Sequence, residues 1–243
     1  MRDVLAQDNK LIRSLVQNVK TGNNSSFEQL YQIHAGRVYA LCLRLLADKE
    51  LADETTKNVF LSALKNITFF RADITFGSWL CSIAVYSSLE RLRQYNNTVN
   101  NISKIKLNNF NLNPFETEIL SLPHKERLVF VLHDLEKYTN NETAELTMVK
   151  SDEITEYLDR AYNILKSPKT SLSQVTPLNE RLNSLANQIT PDNDIWKRIS
   201  TQIHDQKAND NKKGTVEGSA ANEEIPDKQE KTRKFNVFGW RKK

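Results

Sequence analysis

The spacing of the apolar residues is the feature of this sequence that most constrains its fold. In one stretch, residues at intervals of three and four form a single stripe over about five helical turns. The stripe comprises Phe27, Leu30, Tyr31, His34, Val38, Leu41, Cys42 and Leu45. Similar spacing predicts further helices over 10–20, 48–67 and 76–93, and the chain has only six glycines in 243 residues. Four helices with short connections predict an all-α bundle over residues 10–95.

Polar residues at the predicted helix starts are candidate caps, because a short side-chain oxygen can accept an unpaired backbone N–H. We expect Ser25 or Ser26 to cap the second helix, Asp48 the third and Ser78 the fourth.

The composition changes after the bundle. Residues 94–113 contain eight asparagines in twenty positions, and such a polar segment cannot bury a core. We therefore predict an asparagine-rich flexible linker over 96–114, followed by a second helical unit over 115–166. Residues 167–243 are predicted to be an extension with two short amphipathic helices, at about 178–189 and 191–203. The rest of this extension, beginning at about 205, is predicted to be mostly disordered and to end in aromatic and basic residues.

Several functional classes find no support in the sequence. The four histidines are scattered, and the sequence has no phosphate-binding glycine loop and no nucleophile motif. We therefore expect a protein that is not an enzyme, with no metal, no cofactor and no small-molecule substrate. Cys42 and Cys81 lie in apolar helical stretches and are predicted to be buried free thiols. No apolar run approaches the ~20 residues of a membrane span, so we expect a cytoplasmic protein.

Four blocks of the sequence, taken in order, resemble the extracytoplasmic-function group of bacterial sigma factors. They are residues 27–46, 51–61, 76–93 and 122–161. The resemblance implies a region 2-like helical bundle, a flexible linker and a region 4-like helix–turn–helix. It also implies a sigma factor that binds core RNA polymerase, directs promoter recognition at transcription initiation, and has an anti-sigma factor as a further partner.

The same resemblance implies three sets of site residues. In the family, the block at 51–61 docks on a coiled coil of core polymerase, which gives Glu54, Lys57, Asn58, Phe60 and Leu61. The block at 76–93 meets the −10 promoter element, which gives Arg71, Ser78, Trp79, Tyr86 and Arg93. The reading helix of the last block meets the −35 element, which gives Lys150, Thr155, Tyr157 and Arg160.

Departures from the family pattern keep an alternative open. Val85 and Tyr86 stand where the family has Arg and Asn, so a cation and an amide are missing near the expected DNA surface. Residues 141–160 carry six acids and two bases, and acidic side chains oppose contact with phosphates. The alternative is a sigma-like interaction protein that no longer reads promoters, and that either holds core polymerase or acts as a regulator whose helices at 178–203 mask its own DNA face. Trp79 likewise has an alternative role as a core anchor, from its position on the apolar stripe.

Overall fold

The computed structural model describes residues 2–71, 73–98, 113–166, 178–185, 189 and 191–214, and every regular element in these ranges is helical. The first unit comprises α1 (Arg2–Lys20), α2 (Asn24–Leu46), α3 (Lys49–Asn66) and α4 (Phe76–Thr98). The second comprises α5 (Pro114–Leu120), α6 (His124–Phe130), α7 (Asn140–Thr147) and α8 (Ile154–Lys166). The last two helices are α9 (Leu178–Ser184) and α10 (Asn193–Gly214). The prediction of an all-α fold is confirmed.

The ends of these segments differ from the predicted boundaries. Helix α4 reaches Thr98, so it includes the first residues of the predicted linker, and positions 99–112 of that linker lie outside the described residues. Helix α10 continues to Gly214, so the prediction that disorder begins at about 205 is wrong. The tail from 215 onward lies outside the described residues.

One of the three predicted helix caps is observed. The Asp48 carboxylate accepts the Leu51 N–H at 2.9 Å, as expected. Helix α2 is instead capped by Asn23, which accepts the Ser26 N–H at 3.1 Å. Helix α4 begins after Thr75, whose hydroxyl oxygen accepts the Ser78 N–H at 3.1 Å. In both cases an equally good capping residue lies slightly earlier in the chain.

Helix α2 lies at the centre of the apolar core. Every residue from Val38 to Leu46 on this helix is buried, because α5 and α6 pack on α2 in addition to α1, α3 and α4. More residues of α2 are therefore buried than the predicted single stripe indicates. Both cysteines are free and buried, as predicted, and burial raises the pKa of Cys42 to about 11 and that of Cys81 to about 12.

The two helical units are joined by a buried ion pair. The Arg44 Nε atom on α2 lies 3.0 Å from the Glu116 carboxylate on α5, and Arg44 Nη2 donates a second hydrogen bond to the same carboxylate. Nearer the surface, Arg37 Nη2 lies 3.4 Å from the Glu136 carboxylate. Arg93 on α4 donates to the Leu146 carbonyl at 3.4 Å. The partners in these contacts are far apart in sequence and leave no local pattern. The packing of the two helical units against each other was therefore not predicted.

Helices α7 and α8 are joined by a short turn, as in the predicted helix–turn–helix. Met148 ends α7 with φ 58° and ψ 29°, in the left-handed region, and its side chain is exposed. A residue with a Cβ atom is strained there, and glycine is not.

We therefore expect Met148→Gly to raise the free energy of unfolding by about 0.5–1 kcal/mol, since relief of backbone strain exceeds the entropy that glycine gains in the unfolded chain. Thermal and urea unfolding measure this change. Met148→Ala keeps the Cβ and is the matched control, with an expected change near zero. A destabilised glycine variant would contradict the left-handed geometry.

His34 lies between α2 and α4, with its ring centroid 5.5 Å from that of Phe76. Its Cε1 atom lies 3.3 Å from the position that a Cβ would take at Gly77, so glycine leaves the space that the imidazole fills. Burial, and to a lesser degree the Arg37 charge, lower the pKa of His34 to about 4 from 6.5.

A lowered histidine pKa makes stability depend on pH. Below about pH 6.5 the unfolded chain binds the proton and the folded chain does not, so the stability contributed by neutral His34 is lost as pH falls towards 4. We expect His34→Gln to reduce the fall in unfolding free energy between pH 7 and pH 4.5 by on the order of 1–2 kcal/mol. Urea unfolding at both pH values measures it, with exposed His204→Gln as control. An identical pH dependence in wild type and His34→Gln would contradict the prediction.

None of the described helices has the length and apolar character needed to cross a membrane.

Candidate functional site

Three of the predicted polymerase-docking residues share one face of α3. Glu54, Asn58 and Leu61 follow each other at helical spacing, which places them side by side. Asn58 is exposed and Leu61 is partly buried against the core. The Glu54 side chain is 44% exposed and pairs with Arg91 of α4 at 2.7 Å. This open face offers a carboxylate, an amide and an apolar side chain to a partner.

The other two residues of that set lie elsewhere. Phe60 is 0% exposed, with its ring centroid 4.8 Å from Tyr31 and 6.4 Å from Phe27. A side chain without exposed surface cannot touch a partner, so the assignment of Phe60 to the docking surface is wrong, and Phe60 instead anchors α3 in the core. Lys57 lies at the border with α10, in a groove that it lines together with Asp194, Lys197, Arg198, Thr201, Gln202 and Asp205.

A row of partly exposed side chains runs along α4. Its members are spaced by three and four residues: Ser78, Ser82, Tyr86, Glu90 and Arg93. We call this row the α4 stripe. Three of its residues were predicted to face the −10 DNA. Ser82 and Glu90 were not, although their spacing from Ser78 could have identified them.

Trp79 does not belong to the α4 stripe. It is 2% exposed, and its ring centroid lies 5.2 Å from Phe70 and 5.5 Å from Phe76. The assignment of Trp79 to the −10 set is therefore wrong, and the alternative of a core anchor is confirmed. Val85 is also buried, so the position at which the family has arginine lies in the core of this chain. The remaining predicted residue, Arg71, is exposed in the connector before α4.

Two of the predicted −35 residues are occupied by contacts within the protein. Arg160 Nε lies 2.9 Å from the Glu126 carboxylate, and Arg160 Nη1 pairs with Glu156. The same guanidinium lies 4.3 Å from the Tyr157 ring centroid, which Lys125 approaches at 5.7 Å. DNA contact by Arg160 would have to exchange these ion pairs for contacts to phosphate, and the −35 roles of Arg160 and of Tyr157 beneath it stay predictions.

The other two predicted −35 residues are surrounded by acids. Lys150 and Thr155 are exposed, but the Lys150 Nζ atom lies 3.9 Å from the Glu153 carboxylate. Asp152 and Asp159 are exposed as well. Because phosphate contacts dominate nucleic-acid affinity, this surface disfavours DNA relative to the α4 stripe.

Residues 30–98, which include α3, α4 and most of α2, match the sigma-70 region 2 family. The chain is 29% identical over 84 residues to the ECF RNA polymerase sigma factor SigW of Bacillus subtilis (strain 168), covering 35% of this chain and 45% of that relative. It is 33% identical over 73 residues to the ECF RNA polymerase sigma factor SigM of Mycobacterium tuberculosis (strain H37Rv), covering 30% and 37%. The matches thus span less than half the length of these curated relatives.

Two solved structures are also similar. One is CnrH in complex with the cytosolic domain of CnrY, with a TM-score of 0.41, 18% identity and coverage of 65% of this chain and 96% of that one. The other is the sigma factor RpoE in complex with the anti-sigma factor NepR from Bartonella quintana, with a TM-score of 0.44, 16% identity and coverage of 62% and 98%. Residues 30–98 of this chain match sigma-70 region 2, and the chain is similar over part of its length to extracytoplasmic-function sigma factors.

Proposed function

We propose that this chain is a sigma factor that binds core RNA polymerase through α3 and takes part in promoter recognition. The observation that carries the proposal is the region 2 match over residues 30–98, which contains α3 and α4. Those helices present the open face of α3 and the α4 stripe. The relatives are named as RNA polymerase sigma factors, which agrees with this role.

The open face of α3 is suited to a protein partner. Leu61 supplies apolar area beside the polar side chains of Glu54 and Asn58. The Glu54–Arg91 pair is largely exposed, and an exposed ion pair contributes only about 0–1 kcal/mol. Either side chain can therefore exchange this contact for one to polymerase at little cost.

The α4 stripe is suited to DNA whose strands have separated. The Tyr86 ring can stack on an unpaired base, because every base offers an aromatic face. Ser78 offers a hydroxyl group to a phosphate, and Arg93, which lies 3.6 Å from the Glu90 carboxylate, offers a charge. Such a surface acts by binding and by stabilising melted DNA, without covalent chemistry.

A positive charge introduced on the open face of α3 tests whether this face docks on polymerase. We expect Asn58→Arg to raise the Kd for core RNA polymerase at least about tenfold, because the amide lies at the centre of the open face. Gln29→Arg makes the same kind of change at an exposed position of α2 and should leave the Kd unchanged. Equal Kd values for wild type and Asn58→Arg, measured by titration of labelled polymerase, would contradict docking through α3.

The second candidate function is a polymerase-binding protein without promoter reading. It is favoured by the ion pairs of Arg160 and by the exposed acids of α8. Promoter-dependent transcription with reconstituted polymerase, using sequences selected from a random library, discriminates between the two. Loss of transcript in a Lys150→Ala, Thr155→Ala variant, with polymerase binding retained, supports −35 reading. A chain that binds polymerase and yields no selected promoter supports the second candidate.

A further inference from the structure

The C-terminal residues that the structure describes lie across both helical units. We call residues 178–185, 189 and 191–205 the C-terminal strap. Its first anchor is Arg181 on α9, which donates to the Leu165 carbonyl at 3.0 Å and pairs with Glu118. The Arg181 guanidinium also lies 4.1 Å from the Phe115 ring centroid. The start of the strap is thereby fixed to α5 and α8.

The middle of the strap lies on α2. Arg44, already paired with Glu116, donates a further hydrogen bond to the Leu185 carbonyl at 3.3 Å. The Ile189 carbonyl oxygen lies 3.4 Å from the position that a Cβ would take at Gly36. The backbone of the strap therefore passes close to α2 at Gly36.

The last part of the strap is the portion of α10 up to residue 205, and it packs on α2 and α3 through an apolar face. Ile195, Ile199 and Ile203 are spaced by four residues and are 1%, 0% and 6% exposed. The Trp196 ring centroid lies 5.0 Å from that of Tyr31, whose other neighbour is Phe60. The position of α10 is thus determined by a buried face of its own.

We propose that α10 is an autoinhibitory helix that competes with core RNA polymerase for the surface of α3 at Lys57. The inference rests on the proposed function, because it concerns the same docking surface. Lys57, one of the predicted docking residues, lines a groove whose other described walls all belong to α10. In the alternative predicted from the sequence, the helices at 178–203 mask the DNA-binding face. In the structure, α10 lies beside the docking face of α3.

The size of a helix supports competition. Lys57 and Asn58 are consecutive residues, so their side chains point about 100° apart around α3, and a helix with its side chains is about 10–12 Å across. A partner helix that covers Asn58 and reaches Lys57 therefore needs space that α10 occupies. Polymerase binds only the molecules in which α10 has moved away, so its apparent affinity falls by the fraction of such molecules.

The test is a charge on the buried face of α10 in the full-length protein. Ile199→Glu places a carboxylate where the side chain is 0% exposed, which releases α10 from α2 and α3. His204→Glu places the same group at an exposed position of α10 outside the groove and is the matched control. Hydrogen exchange of the α10 amides reports release, and titration with core RNA polymerase reports affinity.

We expect Ile199→Glu to bind polymerase at least about tenfold more tightly than wild type, since a helix docked in nine of ten molecules imposes a tenfold penalty. His204→Glu should match wild type. If Ile199→Glu does not fold, Trp196→Ala, which loses the contact to Tyr31, takes its place.

The other results each overturn the inference and separate its failure from that of the proposed function. Equal affinity of wild type and released variant means that α10 does not compete, with docking intact. Weaker binding of the released variant means that α10 is part of the docking surface. Absence of binding by every variant, with exchange showing α10 released, removes the proposed function and the inference together.

Discussion

Glu116→Ala is expected to lower the free energy of unfolding by about 3–5 kcal/mol, because it leaves the buried Arg44 guanidinium without its carboxylate. Glu116 is 2% exposed and Arg44 9% exposed, and the Leu185 carbonyl is the other partner of this guanidinium in the described residues. Urea unfolding followed by circular dichroism measures the effect.

The control for this prediction replaces both partners at once. Arg44→Met combined with Glu116→Leu removes both charges and retains apolar volume, so its expected effect is close to zero, in either direction. A double variant as unstable as Glu116→Ala would contradict the view that the isolated charge causes the loss. A stable Glu116→Ala would mean that the two units do not pack through this pair in solution.

Phe60→Ala is expected to destabilise the protein by a similar amount, about 3–5 kcal/mol. The ring is fully buried and contacts Phe27 and Tyr31, so its removal leaves a cavity between α2 and α3. The effect should extend to α10, since Tyr31 is the ring on which Trp196 rests. Hydrogen exchange should therefore show faster exchange in α10 as well as lower global stability.

Phe69 provides the matched comparison, because it is the same residue type and lies in the turn that directly follows α3. It is 63% exposed, so Phe69→Ala should change the unfolding free energy by less than about 0.5 kcal/mol. Similar losses in the two variants would contradict the burial of Phe60, and would reopen its assignment to the docking surface.

The helices could be predicted from the sequence because each has a buried face with a 3.6-residue period. The stripe of α2 and the isoleucines of α10 are clear examples, since both patterns match side chains that are buried in the structure. The packing of the second unit on α2 could not be predicted. Its contacts, such as Arg44 with Glu116, join residues that are distant in sequence and individually resemble surface charges.

The site was predicted in part, and the errors have one physical origin. A family motif identifies conserved types of residue but does not say which of them face the core. Phe60 and Trp79 lie on the apolar stripes that predicted α3 and α4, so helical periodicity already placed them inside. Asn58 lies outside those stripes and is exposed. The ion pair of Arg160 leaves no local sequence pattern either, since its partner Glu126 lies on a different helix.

The central claim, that this chain docks on polymerase as a sigma factor does, is tested most directly by competition. Purified full-length protein is mixed with core RNA polymerase and separated by size exclusion, with and without an excess of an unrelated sigma factor. We expect the protein to co-elute with polymerase and to be displaced by the competitor. A folded protein that elutes alone, in wild-type form and as the Ile199→Glu variant, would contradict the claim, as would co-elution that the competitor leaves unchanged.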